Sequence, residues 1–125
     1  MPPAMRVEVH YRDLIAWNKA FELALAIYRD TSRFPVEERY GITFQIRKAG
    51  ISIPSNIAEG EGRRSRTEFR RYLSIALGSL KEVETQISLS DALGYFQQKQ
   101  TAKLMRMSAE VGRLINGLSR SLLNE

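Results

Sequence analysis

Arginines provide the side chains in this sequence that are best suited to chemistry, and many of them lie in one short run. This basic run consists of Arg63, Arg64, Arg66, Arg70 and Arg71. Five positive charges less the negative charge of Glu68 leave a local net charge of +4. A guanidinium binds phosphate or carboxylate through two parallel hydrogen bonds. The run therefore predicts an anion site, and the alternatives are a solvated loop or salt bridges at a subunit contact, for example with Glu59 or Glu61.

A second group of cations follows one flank of the last predicted helix. Arg106, Arg113 and Arg120 are spaced by seven residues and form a line about 20 Å long at 1.5 Å per residue. The line is either the solvated face of that helix or a support for phosphate binding. Together with one lysine of the second predicted helix, the predicted nucleic-acid-binding residues are Arg63, Arg64, Arg66, Arg70, Arg71, Lys48, Arg106, Arg113 and Arg120.

Catalytic and metal-binding chemistry has little support in the sequence. There is no cysteine, and the only histidine, His10, has no apparent partner. The paired Glu-x-x-His motifs of di-iron helical bundles are absent, and "GEG" (residues 60–62) lacks the strand and lysine of a phosphate-binding loop. We therefore expect a protein that is not an enzyme and that uses no cofactor and no metal.

Length and composition indicate one globular domain. The 125 residues are 43% hydrophobic and 26% charged, which is typical of a folded protein. The net charge of +5 and the pI near 9.8 favour an acidic partner. No stretch approaches the roughly 20 apolar residues that a membrane span needs, and residues 1–10 do not resemble a signal peptide. We therefore expect a cytoplasmic protein that does not bind membranes.

Apolar residues recur every three to four positions in four segments, which predicts four amphipathic helices. They cover about residues 13–32, residues 42–62 including Pro54, a segment from the cap at Ser65 to the turn at Gly94, and residues 97–122. For the first helix, the predicted core face consists of Leu14, Trp17, Phe21, Ala24 and Tyr28. The pattern predicts an all-α fold, an antiparallel up-down-up-down four-helix bundle over residues 13–123 after an N-terminal arm of residues 1–12.

The basic run surrounds the start of the third predicted helix, where positive charge opposes the helix dipole. The stability of that helix therefore does not favour these arginines, which strengthens the prediction of an anion or an acidic neighbour.

Several apolar residues lie off the predicted core faces and require a second packed surface, for which a copy of the same chain is the simplest source. The predicted oligomer interface consists of Phe44, Ile51, Ala58, Ile75, Leu77 and Leu89.

Three segments carry a family resemblance: "YRDLIAWNKAFELALAIYRDT", "RYGITFQIRKAGISIPSNIAEGEGRRS" and "EFRRYLSIALGSLKEVETQISLSDALGYF". They resemble the bacterial four-helix-bundle proteins encoded in intervening sequences of 23S ribosomal RNA genes. That family is similar to the accessory variability proteins of diversity-generating retroelements, which form homopentamers and bind nucleic acid and a reverse transcriptase. The resemblance implies a pentameric bundle with a basic surface, and it brings no catalytic residues.

These observations lead to two hypotheses about function. In the first, a non-enzymatic homo-oligomer binds RNA or DNA through phosphates, with low base specificity. In the second, the chain is an adaptor or scaffold whose arginines bind an acidic protein such as a reverse transcriptase.

Overall fold

Four α-helices form the fold in the computed structural model, which describes residues 10–123. Their bounds are α1 Ile15–Asp30, α2 Ile42–Gly62, α3 Arg66–Ala92 and α4 Gln98–Ser121. Short 3-10 helices at Tyr11–Asp13 and Val36–Glu38 precede α1 and α2, and no β-strand occurs within residues 10–123. The prediction of an all-α fold with four helices is confirmed, and α2 continues through Pro54 as expected.

The helix boundaries follow from local chemistry. Ser65 caps α3, since its Oγ accepts a hydrogen bond from the backbone N of Glu68 at 3.2 Å. The turn after α3 is made by Gly94, whose φ of 79° is a left-handed conformation that suits glycine. At the start of α4, the backbone N of Gln97 donates to Oε1 of Gln100 at 2.8 Å. The sequence did not indicate this last cap, because glutamine is not a preferred capping residue.

All four helices contribute fully buried side chains to one core. The largest are Leu23, Ile27, Ile46, Ile53, Ile57, Leu73, Leu80, Val83, Ile87, Leu104, Val111 and Ile115. In α2 and α3, the apolar residues that recur every three to four positions are buried, among them Ile46, Ile53 and Ile57 in α2 and Leu73, Leu80 and Ile87 in α3.

The core face predicted for α1 is wrong for Phe21 and Tyr28, whereas Leu14 and Trp17 are half-buried and pack against the core. Phe21 and Tyr28 are 45% and 41% exposed, whereas Ala20, Leu23 and Ile27 are fully buried. The helix has two apolar stripes, and the one with smaller side chains faces the core because alanine lets neighbouring helices approach closely. Phe21 and Tyr28 lie on the outer side of α1.

The helices pack as neighbours in a closed order, α2 against α1 and α3, and α4 against α3 and α1. Two glycines of α2 lie at these contacts. A Cβ on Gly60 would lie 2.7 Å from Cβ of Tyr72 in α3, and a Cβ on Gly50 would lie 2.9 Å from Cδ1 of Ile27 in α1. Both glycines therefore set how closely α2 approaches its neighbours.

Most of the predicted N-terminal arm, residues 1–9, lies outside the described residues. From residue 10 onward the chain is packed, with the Tyr11 ring 5.2 Å from the ring of Trp17. None of the helices in the described part of the chain is both long and apolar enough to cross a membrane.

Candidate nucleic-acid interface

The basic run lies at the end of the bundle where α2 stops and α3 starts. Arg64 has a φ of 59°, a left-handed conformation that reverses the chain between the two helices. The side chains of Arg63, Arg64, Arg66 and Arg71 are exposed, and Arg70 is half-buried.

The C-terminal end of α4 lies beside the same arginines. Nη1 of Arg66 donates to the carbonyl of Leu122 at 3.3 Å, and Nε of Arg70 donates to the carbonyl of Ser119 at 3.2 Å. Arg120 lies between these two carbonyls in the sequence and is exposed. The fold thus brings the C-terminal end of α4, which carries Arg120, to the basic run. We call this surface the basic end, and its arginines are Arg63, Arg64, Arg66, Arg70, Arg71 and Arg120.

For Arg66 and Arg70, the expectation that stability does not favour them is wrong. The last carbonyls of a helix have no intrahelical partner and carry partial negative charge. The two arginines sit at the unfavourable end of their own helix but donate to carbonyls at the favourable end of α4, where the carbonyl of Ser119 also accepts from the backbone N of Leu122 at 3.2 Å. Part of the basic run is therefore explained by the packing of α3 against α4.

Arg63 is held by two partners within the chain. Its Nη2 donates to Oε2 of Glu59 at 2.9 Å and to the hydroxyl oxygen of Tyr72 at 2.8 Å. The hydrogen bond to Glu59 raises the pKa of Arg63, so the guanidinium stays charged. The expected salt bridge to Glu59 thus exists within one chain.

Arg71 pairs with Glu68 one turn earlier on α3. Its Nη2 donates to Oε1 of Glu68 at 3.0 Å, and Nε lies 3.3 Å from the same oxygen. This hydrogen bonding lowers the pKa of Glu68 and raises the pKa of Arg71. Both side chains therefore stay ionised at neutral pH.

Tyr72 lies between the two arginines, a role that the sequence did not reveal. The guanidinium carbons of Arg63 and Arg71 lie 5.2 Å and 4.6 Å from the centre of its ring, which is cation–π distance. The sequence offered only the proximity of a tyrosine to the basic run, and the stacking requires that the end of α2 meet the start of α3.

The remaining predicted cations lie farther from the basic end. Arg113 and Arg106 are exposed on α4, about 10 Å and 20 Å along the helix from Arg120. Lys48 is about 22 Å along α2 from Arg63, and its Nζ lies 5.9 Å from the ring centre of Phe44. In the described part of the chain, no three His, Asp or Glu side chains are grouped so that they could hold a metal ion.

Four of the six predicted interface residues are large apolar side chains in contact with solvent. Phe44, Ile51, Ile75 and Leu89 are 41% to 50% exposed. Ala58 is half-buried, and Leu77 is half-buried because it packs against the core.

Comparison with known proteins places this fold in a family. Residues 12–117 match the family model described as 23S rRNA-intervening sequence protein. The chain is also similar to the crystal structure of a protein with unknown function from the S23 ribosomal protein family of Bacteroides thetaiotaomicron. The two share 27% identity and a TM-score of 0.75 over 84% of this chain and 98% of that chain. No curated protein is significantly similar to the sequence. The family model covers most of the chain, and the chain belongs to the 23S rRNA-intervening sequence protein family.

Proposed function

We propose that this protein is a non-enzymatic, oligomeric RNA-binding protein whose basic end contacts RNA phosphates. Base specificity is low in this mode, because phosphate contacts position a protein on nucleic acid without reading its sequence. The family name, which refers to sequences within 23S rRNA genes, agrees with RNA as the polyanion.

The contact of the basic run with the C-terminal end of α4, which carries Arg120, is the observation that carries this proposal. Arg120 is 49 residues from Arg71 in the sequence, yet the contacts of Arg66 and Arg70 bring the end of α4 to the basic run. Clustered arginines with the same sign of charge raise the local concentration of polyanions.

The helix contacts support an up-down-up-down order. Late positions of α2 contact early positions of α3, as in Gly60 with Tyr72, while Ser52 lies 2.7 Å from Ser79 between their hydroxyl oxygens. The exposed apolar residues support assembly, and the family resemblance implies five copies. Five copies would carry five times +5, or +25, and would repeat the basic end around a ring.

The binding mode is tested by measuring the affinity for a hairpin RNA at several salt concentrations. In the Arg64→Gln, Arg120→Gln double variant, we expect weaker binding and a salt slope smaller by about 1.4 to 1.8, since each lost phosphate contact lowers the slope by about 0.7 to 0.9. The Arg33→Gln, Arg39→Gln double variant is the matched control, because both exposed arginines lie between α1 and α2, at the other end of α2, and the same two charges are removed. An affinity of the wild type that stays constant as salt increases would exclude a phosphate-driven mode.

An adaptor that binds an acidic protein is the second candidate. It is favoured by the ion pairs of Arg63 with Glu59 and Arg71 with Glu68, which show that these guanidiniums accommodate carboxylates. Purification from native cells with and without nuclease separates the candidates. A protein partner that remains after nuclease treatment supports the adaptor, and its loss supports RNA binding.

A further inference from the structure

Two arginines of the basic end share one aromatic ring, and this arrangement differs from a simple accumulation of charge. Arg63 comes from the end of α2, Arg71 comes from α3, and both guanidiniums lie over Tyr72 at 5.2 Å and 4.6 Å. Stacking restricts a guanidinium to fewer orientations than a solvated side chain has. Because they lie 5.2 Å and 4.6 Å from the same ring centre, the two guanidinium carbons are at most about 10 Å apart before any ligand arrives.

The ring itself is fixed by the packing of α2 against α3. Tyr72 is half-buried, and its Cβ lies against Gly60 so closely that a Cβ there would be 2.7 Å away. Its hydroxyl oxygen accepts a hydrogen bond from Nη2 of Arg63 at 2.8 Å. Tyr72 thus connects the position of the arginines to the rigid part of the bundle.

Each of the two guanidiniums is already paired with a carboxylate. Arg63 uses Nη2 for Glu59 and Tyr72, while Arg71 uses Nε and Nη2 for Glu68. Nη1 of both arginines makes no hydrogen bond to any of residues 10–123. A phosphate oxygen can accept a hydrogen bond from Nη1 of either arginine. The phosphate can then compete with Glu59 and Glu68 for the remaining guanidinium donors.

We propose that Tyr72 positions Arg63 and Arg71 as a clamp for one phosphodiester group of a bound RNA, and that Glu59 and Glu68 occupy the clamp until RNA displaces them. The inference rests on the proposed function and names the site within the basic end. Tyr72 is a positioning residue, since it acts through the two arginines. The carboxylates lower the affinity, because RNA must break two ion pairs to bind.

Uncharged substitutions of Tyr72 test the clamp, with fluorescence anisotropy of a labelled hairpin RNA as the readout. We expect Tyr72→Leu to bind about five- to tenfold more weakly and to reduce the salt slope by about 1 to 2, although no charge is removed. Tyr72→Phe keeps the ring but loses the hydrogen bond from Arg63, so its affinity should lie between those of the wild type and Tyr72→Leu. The control is Tyr40→Leu, which removes an exposed tyrosine stacked on Arg39 far from the basic end.

Substitutions of the carboxylates test the competition. Glu68→Gln and Glu59→Gln should each bind RNA about two- to fivefold more tightly than Glu61→Gln. In the wild type, RNA must break the exposed ion pair of each carboxylate, and the cost of breaking it weakens binding. The three variants add the same charge, and Glu61 makes no ion pair to the described residues.

Several outcomes would overturn the inference. An unchanged salt slope in Tyr72→Leu would contradict the clamp. Equal affinities of the three glutamine variants for RNA would contradict the competition by Glu59 and Glu68. If these results occur while Arg64→Gln, Arg120→Gln still weakens binding, the proposed function stands without the clamp. Failure of the wild type to bind RNA would overturn both. Thermal melting of Tyr72→Leu shows whether the variant is folded at the temperature of the binding measurement. If it is folded, a smaller salt slope reports loss of the clamp and not unfolding.

Discussion

The arginines of the basic end differ in what they contact, although the sequence presents them as one run. Arg66 and Arg70 donate to backbone carbonyls of α4, and Arg63 and Arg71 are stacked on Tyr72. The first pair therefore contributes to the packing of α3 on α4. The second pair presents guanidinium edges to solvent.

Replacing Arg70 should lower the stability of the fold. In Arg70→Met the apolar stem is retained, but the half-buried carbonyl of Ser119 loses a charged donor at the end of a helix. We expect a loss of about 1 kcal/mol in the free energy of unfolding, measured by urea denaturation.

The control for Arg70 is Arg106→Met, which removes an exposed arginine of α4 and should change the stability by less than about 0.5 kcal/mol. Equal effects of the two substitutions would show that Arg70 contributes nothing to the end of α4.

At the scale of elements, α2 approaches α3 through a glycine that has no room for a side chain. A Cβ on Gly60 would meet Cβ of Tyr72 at 2.7 Å and Cδ1 of Phe69 at 3.0 Å. Gly60→Ala should therefore destabilise the protein by about 1 to 3 kcal/mol, because the two helices must move apart. Thermal or urea unfolding measures the change.

Gly78 provides the matched control in α3. A Cβ there meets no atom within 4 Å, so Gly78→Ala should stabilise the helix by about 0.5 to 1 kcal/mol. Stabilisation by both alanines would contradict the close contact at Gly60.

The helices could be predicted from periodicity, but the choice between two apolar stripes could not. In α1, the side chains of Phe21 and Tyr28 have a larger apolar surface area than that of Ala20. Ala20 is nevertheless fully buried, whereas the two aromatic side chains are 45% and 41% exposed. The choice depends on the distance to the neighbouring helices, which a single sequence does not encode locally. Leu77 shows the same difficulty, since it was assigned to an outer surface and packs against the core.

The arginines of the candidate site were found from spacing and charge, but their partners were not. The contact of Arg70 with Ser119 depends on where α4 ends relative to the start of α3, 49 residues away in the sequence. The capping role of Ser65 was predicted, whereas the pairing of Glu68 with Arg71 was not. Long-range packing decided these partners.

At the scale of the whole molecule, the outer faces of α2 and α3 carry large apolar side chains that are exposed in the single chain. Phe44 and Ile51 lie on α2, and Ile75 and Leu89 lie on α3, each at least 41% exposed. The residues of each pair are separated by whole heptads, seven and fourteen positions, and therefore follow one side of each helix. A second copy of the chain would bury this surface and repeat the basic end.

Assembly should therefore depend on these residues and not on apolar exposure in general. We expect the wild type to have the mass of an oligomer by light scattering, and Ile51→Glu to have a lower mass with unchanged helical circular dichroism. A buried unpaired carboxylate costs far more than an exposed one, so the interface and not the fold is affected. Ile15→Glu is the control, because Ile15 is 66% exposed in the first turn of α1, where a carboxylate is favourable. A wild type that stays monomeric at micromolar concentration would contradict the assembly, and the cationic surface would then be limited to +5 per particle.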